Sequence, residues 1–393
     1  MKSNRDVFVA SAVRTPIGKF GGSLAQLTAA DLGVVAVRTA LERAAVSPEN
    51  VDEVIVGMAR QAGNGPNPAR QIGVRAGIGE EIAAYTVNKA CGSGLKSIML
   101  GSNEIALGQA AIVVAGGSES MSRVPYLVEN ARWGLRLGHQ ELTDGMYRDG
   151  FLCPLAKMVM GETAENLADI HKISREEQDA YAIESQRRAG RATASGRFAD
   201  EIVAVDLPAG KGTLADDEHV RGEVSMEDMR KLRPVFREDG TITAGNSSGI
   251  TDGAAAVVLV SQDEVQRRNL APLCRIVGYA VAGVDPKVMG IGPVPAVRKL
   301  LSLTGMSLED FGLIELNEAF AAQVLACLRE LPIDPARLNV NGGAIALGHP
   351  IGCTGARIVA TLAHEMGKRN ERYGLATLCI SGGMGIAMAL ERV

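Results

Sequence analysis

Two cysteines, a histidine and an asparagine stand where apolar runs give way to turns or helix starts. Cys91 follows Val87-Asn88-Lys89-Ala90 and opens Gly92-Ser93-Gly94; Cys379 precedes Ser381-Gly382-Gly383. His349 is held between Gly348 and Pro350, and Asn317 follows the apolar Leu313–Leu316. A thiol near an imidazole suits nucleophilic acyl transfer: the ring takes the proton and sulfur attacks a carbonyl carbon. Beyond Cys91, the residues Leu95, Ile98, Met99, Ile105 and Ala106 share one helical face. That spacing puts Cys91 at a helix N-terminus, where free N–H groups and the dipole would lower its pKa. Glycines 92 and 94 leave room for a substrate near the backbone. Each residue also has a bland reading: a core cysteine for Cys91 and Cys379, a satisfied histidine, an asparagine N-cap. All four, however, fall at strand-to-helix junctions, the places where α/β sheets bind ligands.

The elements that position them alternate along the chain. Val7–Ala12 predicts a strand, Ala29–Ala44 a helix followed by a further helix start at Ser47-Pro48-Glu49, and Val51–Met58 a strand. Asn67–Ala76 follows as a short helix, then Tyr85–Val87, the Cys91 helix, and a strand over Ala111–Ala115 closed by Gly116-Gly117-Ser118. This alternation implies a parallel-type sheet covered on both faces. From Glu119 to about Gly249 periodicity fades and polar residues increase, which predicts an insertion of loops and a few helices. One of them is solvent-facing over Ser174–Ser195 and opens with a capping-box pattern. Thr251–Ser261 returns to the core. The remainder repeats the beginning: strands at Cys274–Val281 and Leu313–Leu316, helices at Pro295–Thr304 and Glu318–Leu331, then matching segments. Val340-Asn341 answers Val87-Asn88, Gly355-Ala356 answers Gly94-Leu95, and Ala376–Ile380 answers Ala111–Ala115. Two similar βα halves packed together are expected.

The 393 residues are 46% hydrophobic and 22% charged, with a formal net charge of −4. This balance fits a multi-domain enzyme-sized protein and gives no basic footprint for nucleic acid. No apolar run reaches membrane-spanning length. The start at Met1–Asp6 runs directly into a strand pattern without a signal-peptide profile. Six cysteines lack a Cys-x-x-Cys pair, against both a disulfide framework and a zinc knuckle. A cytoplasmic protein is the expectation. His349 and Cys353 are four apart, but nothing nearby completes a metal set. Gly92-Ser93-Gly94-Leu95-Lys96-Ser97 lacks the glycine spacing of a phosphate loop.

Together these stretches resemble the thiolase family over nearly the whole chain. Ser11-Ala12-Val13-Arg14-Thr15-Pro16-Ile17-Gly18 is similar to the family's opening, and Asn88-Lys89-Ala90-Cys91-Gly92-Ser93-Gly94 to its nucleophile segment. Gly245-Asn246-Ser247-Ser248-Gly249, Asn317-Glu318-Ala319-Phe320, Gly348-His349-Pro350 and the Cys379 loop resemble its remaining signatures. The resemblance implies an α/β fold whose duplicated halves form a five-layer αβαβα arrangement with an inserted loop domain. Residues 1–119 with 250–271 would form the first half, 120–249 the insertion, and 272–393 the second half.

It also implies a reversible Claisen condensation of two acetyl-CoA to acetoacetyl-CoA and CoA, with Cys91, His349, Cys379 and Asn317 as catalytic residues. Two bases are needed because two protons leave separately. Oxyanion donors would be the backbone at Cys91 and Ser381, and His349 with a water on Asn317. Many relatives have glycine at 381, so the serine dihedral is a point to inspect. Arg221, Phe236 and Ser248 would contact CoA; Met160, Met289, Ala319 and Phe320 would shape the acyl pocket. Val159 stands where acetyl-specialised relatives often carry histidine, whereas Met289-Gly290-Ile291-Gly292-Pro293 resembles short-chain enzymes. CoA thioesters are substrates, and no further cofactor or metal is implied. The family's habit implies a homotetramer, with a dimer as fallback, through loops after Ser120. Rival readings are a degradative 3-ketoacyl-CoA thiolase for longer chains, a decarboxylating ketoacyl synthase, and an inactive acyl-CoA-binding protein.

Overall fold

The computed structural model describes residues 5–393; the reading of the start over Met1–Asn4 lies outside them. The first half contains β1 (Val7–Arg14), α1 (Ala29–Arg43), β2 (Glu53–Gly57), α2 (Pro68–Arg75), β3 (Ala83–Val87), α3 (Ser93–Ala106) and β4 (Ile112–Ser120). Thr28 fixes the start of α1: its hydroxyl accepts from the Asp31 N–H, while the Asp31 carboxylate accepts from the Thr28 N–H. The chain then makes an excursion containing α4 (Met160–His171) and α5 (Arg175–Ala194), and returns as β5 (Thr251–Ser261). The second half runs β6 (Cys274–Gly283), α6 (Pro293–Thr304), β7 (Leu313–Leu316), α7 (Ala321–Glu330), α8 (Ile351–Arg369), β8 (Tyr373–Ile380) and β9 (Met384–Arg392).

The strands form one path in the order β7-β8-β9-β6-β1-β5-β4-β2-β3. Its halves meet through a short contact, with Phe8 opposite Arg275 and Val9 opposite Cys274. Each half has the same internal order: β3-β2-β4-β5-β1 matches a bridge at Leu338 followed by β7-β8-β9-β6. The counterpart of β3 is reduced to the parallel bridge between Ile314 and Leu338, just before Val340-Asn341. Layering follows from burial. One core packs α1 and α2 on the first half-sheet, another encloses α3 and α8 between the half-sheets, and a third packs α6 and α7 on the far side. This is the five-layer αβαβα arrangement.

Five expectations need correction. The sheet is mixed: only the pairs β2–β3, β2–β4 and β7–β8 are parallel among those on the path. The turn Ser381-Gly382-Gly383 between β8 and β9 is too short for a crossover, so that pair is antiparallel. Gly116 and Gly117 do not end their strand but lie within β4. A Cβ on Gly117 would come 2.1 Å from the Gly352 carbonyl, so Gly117 admits the start of α8 against the sheet, while one on Gly116 would come 2.2 Å from the Ala255 carbonyl in the neighbouring strand β5. Helix α5 is not simply solvent-facing: Gln178, Ala182, Ser185, Gln186 and Ala189 are buried. Finally, the helix after Asn317 starts at Ala321, and Ser47-Pro48-Glu49 opens only a single 3-10 turn. The insertion otherwise holds loops, two-residue ribbons and short helical turns such as Tyr147–Phe151 and Met226–Arg230, and no helix among the described residues is long and apolar enough to cross a membrane.

Candidate active site

Cys91 occupies a turn held on both sides. Ala90 has a left-handed backbone, φ 46°, unusual for a residue with a side chain. Asn88 Oδ1 accepts the Ala90 N–H at 2.9 Å. Ser93 Oγ accepts from the Lys89 N–H at 2.8 Å and donates to the Ala90 carbonyl at 2.6 Å. Helix α3 starts at Ser93, and its crossing with α8 is close because both carry glycine there. A Cβ on Gly94 would lie 2.8 Å from the Ala356 nitrogen, and one on Gly355 2.3 Å from the Leu95 nitrogen. The pairing of these two segments, expected as a repeat, is therefore a physical contact between the two halves.

His349 reaches the same place from the start of α8. Gly348 has φ 107°, a conformation suited to glycine, and delivers the ring beside Pro350. The Thr354 hydroxyl donates to the Pro350 carbonyl at 3.0 Å and so accepts from His349 Nδ1–H at 2.6 Å. That tautomer leaves Nε2 with a lone pair; Nε2 is buried without a protein partner. Burial, then the charges of Arg357 and Arg60, lower the His349 pKa to about 3. The ring is thus neutral and ready to accept a proton.

Cys91, His349 and Cys379 line one cavity of about 290 Å³, together with Ser381. Burial raises the Cys91 pKa despite the Ser381 N–H, the Arg60 charge and its own N–H, which favour the thiolate. The expected lowering is therefore overturned, because loss of water outweighs the helix terminus. Cavity access leaves Cys91 partly exposed, whereas Cys379 is 1% exposed. Burial, then the nearby Cys91 charge, place the Cys379 pKa well above the ordinary thiol value. Ser381 is not among the residues with positive φ; Gly382 and Gly383, at 84° and 83°, make the turn instead. The serine is thus compatible with a backbone donor aimed at Cys91.

The comparisons with known proteins agree with this geometry. Models described as "Thiolase, N-terminal domain" and "Thiolase, C-terminal domain" match residues 7–263 and 270–392. The chain belongs to the thiolase family. An acetyl-CoA acetyltransferase of Pseudomonas aeruginosa is 51% identical over 391 residues, covering 99% of this chain and 100% of that protein. An Escherichia coli acetyl-CoA acetyltransferase is 50% identical, with 99% and 100% covered. The structure of Bacillus anthracis acetyl-CoA acetyltransferase superposes with a TM-score of 0.97 at 45% identity, covering 100% of both chains. Human mitochondrial 3-ketoacyl-CoA thiolase in complex with CoA gives 0.96 at 48% identity, covering 99% of this chain and 98% of that one.

In this thiolase Phe236, Ser248, Met160, Met289, Ala319 and Phe320 all line the cavity with the two cysteines. Phe236 and Phe320 meet edge to face, with centroids 6.0 Å apart. Val159 also lines it. Arg221 does not: it borders a small recess with His219 and Gly245, which shares only the Ala244 wall with the main cavity. Its backbone N–H donates to Gln186 at 2.9 Å. Asn317 is not a helix cap but a buried residue beyond β7, and neither side-chain oxygen nor nitrogen has a partner. Such an unsatisfied amide is suited to holding a water. Cys353 is a core residue, 1% exposed, and no described group of His, Cys, Asp or Glu residues could hold a metal ion.

Several residues of this site carry no motif that points to them. Thr354, which orients His349, is one. Glu119 is another: its carboxylate accepts N–H groups from Ala59, Arg60 and Gly352 at 2.9, 3.0 and 2.9 Å, joining β4, the end of β2 and α8. Glu318, inside the Asn317-Glu318-Ala319-Phe320 signature but given no role there, accepts from Tyr181, Ser185, Asn339 and the Ile345 N–H, fastening α5 beneath the site. Arg60, on the cavity wall, was also not singled out.

Proposed function

We propose that this thiolase is an acetyl-CoA acetyltransferase, condensing two acetyl-CoA to acetoacetyl-CoA and CoA and running in reverse as thiolysis. The observation that carries the reading is two thiols and an imidazole with a free Nε2 lining one cavity. His349 Nε2 takes the Cys91 proton as sulfur attacks the thioester. Because the thiol pKa is raised and the imidazole pKa lowered, the resting pair is neutral and the proton moves during attack. The departing CoA sulfur takes the Cys379 proton, leaving acetyl-Cys91 and a Cys379 thiolate.

Cys379 then takes a methyl proton from the second acetyl-CoA, and the carbanion attacks the acetyl carbon. Cys91 leaves and recovers its proton from His349. Backbone N–H groups of Cys91 and Ser381 would hold one oxyanion; His349 and a water on Asn317 would hold the other. Every proton in this cycle moves between a protein group and an atom of the substrates, and the cycle as proposed calls on no cofactor beyond CoA. Phe236 and Ser248 would contact the CoA arm; Arg221 would serve its outer part from the adjoining recess.

The same reading assigns residues 120–249 to CoA binding and subunit contacts, with a homotetramer as the assembly. Trp133 and Leu137 are 82% and 96% exposed, apolar surface that a second copy would cover. Free thiols at Cys91 and Cys379 fit a reducing, cytoplasmic setting. The deciding experiment compares Cys379→Ala with Cys91→Ala. The first should still be acetylated by acetyl-CoA but make no acetoacetyl-CoA, and the second should do neither. Equal loss of acetylation in both would refute the division of labour.

A further inference from the structure

Gln323 and Cys327 take no part in any step above, yet both are fully buried directly behind the cavity wall. They stand four apart on α7, so their side chains share one face. Gln323 Oε1 accepts the Ala319 N–H at 3.3 Å, and its Nε2 donates to Cys327 Sγ at 3.7 Å. The Cys327 thiol in turn donates to the Gly290 carbonyl at 3.4 Å. Burial raises the Cys327 pKa to about 12, so the sulfur keeps the proton that this bond requires. The chain of bonds runs in one direction only: turning the Gln323 amide over would set its NH2 against the Ala319 N–H.

Both ends of this chain of bonds hold the wall. Ala319 and Phe320 line the cavity from one segment and Met289 from another. The Ala319 peptide is gripped on its other side too, since the Ser248 N–H donates to its carbonyl at 3.0 Å. Behind Met289, a Cβ on Gly290 would lie 2.7 Å from Gln323 Cγ and 2.7 Å from Leu167 Cδ1 on α4. The wall is therefore pinned by hydrogen bonds and backed by close packing, with no slack for it to retreat. An acyl chain longer than the pocket is admitted only by moving Met289 or Phe320, and that movement breaks a buried hydrogen bond.

We propose that Gln323 and Cys327 are positioning residues for substrate length: acting through Gly290 and Ala319, they fix the depth of the acyl pocket and hold the enzyme to short chains. This rests on the thiolase reading and deepens it, placing the length control one layer behind the residues that touch the acyl group. Neither residue touches the substrate, and the chemistry at Cys91 and Cys379 is the same with or without them. What they supply is rigidity. One methylene in a fitted apolar pocket is worth about 10- to 200-fold in kcat/KM, and a wall free to move forfeits much of that discrimination.

The test is thiolysis of acetoacetyl-CoA and of 3-oxooctanoyl-CoA by the full-length enzyme, read as the ratio of the first kcat/KM to the second. Gln323→Met keeps the length of the side chain and removes both of its hydrogen bonds. The ratio should then fall about tenfold from the wild-type value, mainly through a lower KM for the longer substrate. Cys327→Ala, which frees the Gly290 carbonyl, should shift the ratio in the same direction, and Cys327→Ser, which keeps a donor to it, should hold the wild-type ratio. A Gln323→Met variant that slows both substrates equally, or leaves the ratio unchanged, would overturn the proposal and leave the pair a structural contact. A serine variant that follows the alanine variant would overturn it too. Acetylation of Cys91 by acetyl-CoA, measured first on each variant, shows that it folds; should Gln323→Met fail there, the two Cys327 variants decide alone. A wild type that cleaves neither substrate would instead defeat the thiolase reading, and this proposal with it.

Discussion

Replacing Thr354 with valine removes one hydroxyl and leaves the shape of the side chain nearly unchanged. The Pro350 carbonyl keeps two other donors, the Cys353 and Thr354 N–H groups at 2.9 Å each, so it stays satisfied. The loss falls on His349 Nδ1–H, whose 2.6 Å contact to the hydroxyl disappears inside the protein. An orphaned buried donor costs about 1–3 kcal/mol, which favours moving the proton to Nε2, where cavity water can accept it. That tautomer cannot take the Cys91 proton. Acetylation of Cys91 should therefore slow by about 10- to 100-fold, equivalent to roughly 1.4–2.7 kcal/mol in the barrier. The assay is single-turnover release of CoA from acetyl-CoA with enzyme in excess, read by stopped flow. KM for acetyl-CoA should change little, and Thr354→Ser should recover most of the rate because it restores the hydroxyl. A valine variant acetylated at the wild-type rate would refute the tautomer argument, as would a serine variant equally slow.

The low pKa of His349 gives two further expectations. Burial, with help from Arg357 and Arg60, lowers it from 6.5 to about 3, so protonation of this ring should cause no fall in acetylation rate between pH 7 and 5; a fall with an apparent pKa near 6.5 that His349→Asn abolishes would contradict this. Between pH 6.5 and 3 the unfolded chain binds this proton and the folded chain does not, so the stability supplied by the neutral ring is present above 6.5 and lost as pH falls toward 3. Comparing urea midpoints of wild type and His349→Asn across that range should show a shallower decline in the variant. Arg14 offers a test of the scaffold: its guanidinium, fully buried, donates to Glu201 at 2.6 Å and to Asp217 at 2.7 and 3.0 Å. Arg14→Met should destabilise by about 3–5 kcal/mol through two uncompensated carboxylates, read as a lower urea midpoint at fixed protein concentration. Adding Glu201→Gln and Asp217→Asn should recover part of the loss.

Local pattern carried the turn at Cys91, the helix face of Leu95, Ile98 and Met99, and the recurrence that led to two halves. Those signals arise within a few residues, where spacing reports directly on backbone geometry. The Cys91 pKa shows where such reasoning stops. Proximity to a helix N-terminus is legible from sequence, but the desolvation that overrides it comes from segments hundreds of residues away. Gly116 and Gly117 failed as strand ends for the same reason: they admit the backbones of β5 and α8 respectively, neighbours that periodicity around residue 116 cannot reveal.

Arg60 is the sharper case. In sequence it is an arginine just after a strand, a position that ordinarily places a charge in water. What makes it informative is the combination of a lid at Gly150, a wall shared with Cys91, and a carboxylate, Glu119, already occupied by three N–H groups. None of these lies near Arg60 in the sequence. The catalytic residues were legible because reacting groups need particular side-chain types at conspicuous turns. Selectivity has no such requirement, since any side chain that reaches the wall can supply it. The residues that choose a substrate are thus expected to lie among those the motifs leave unmarked, on walls that only the folded chain brings beside the nucleophile.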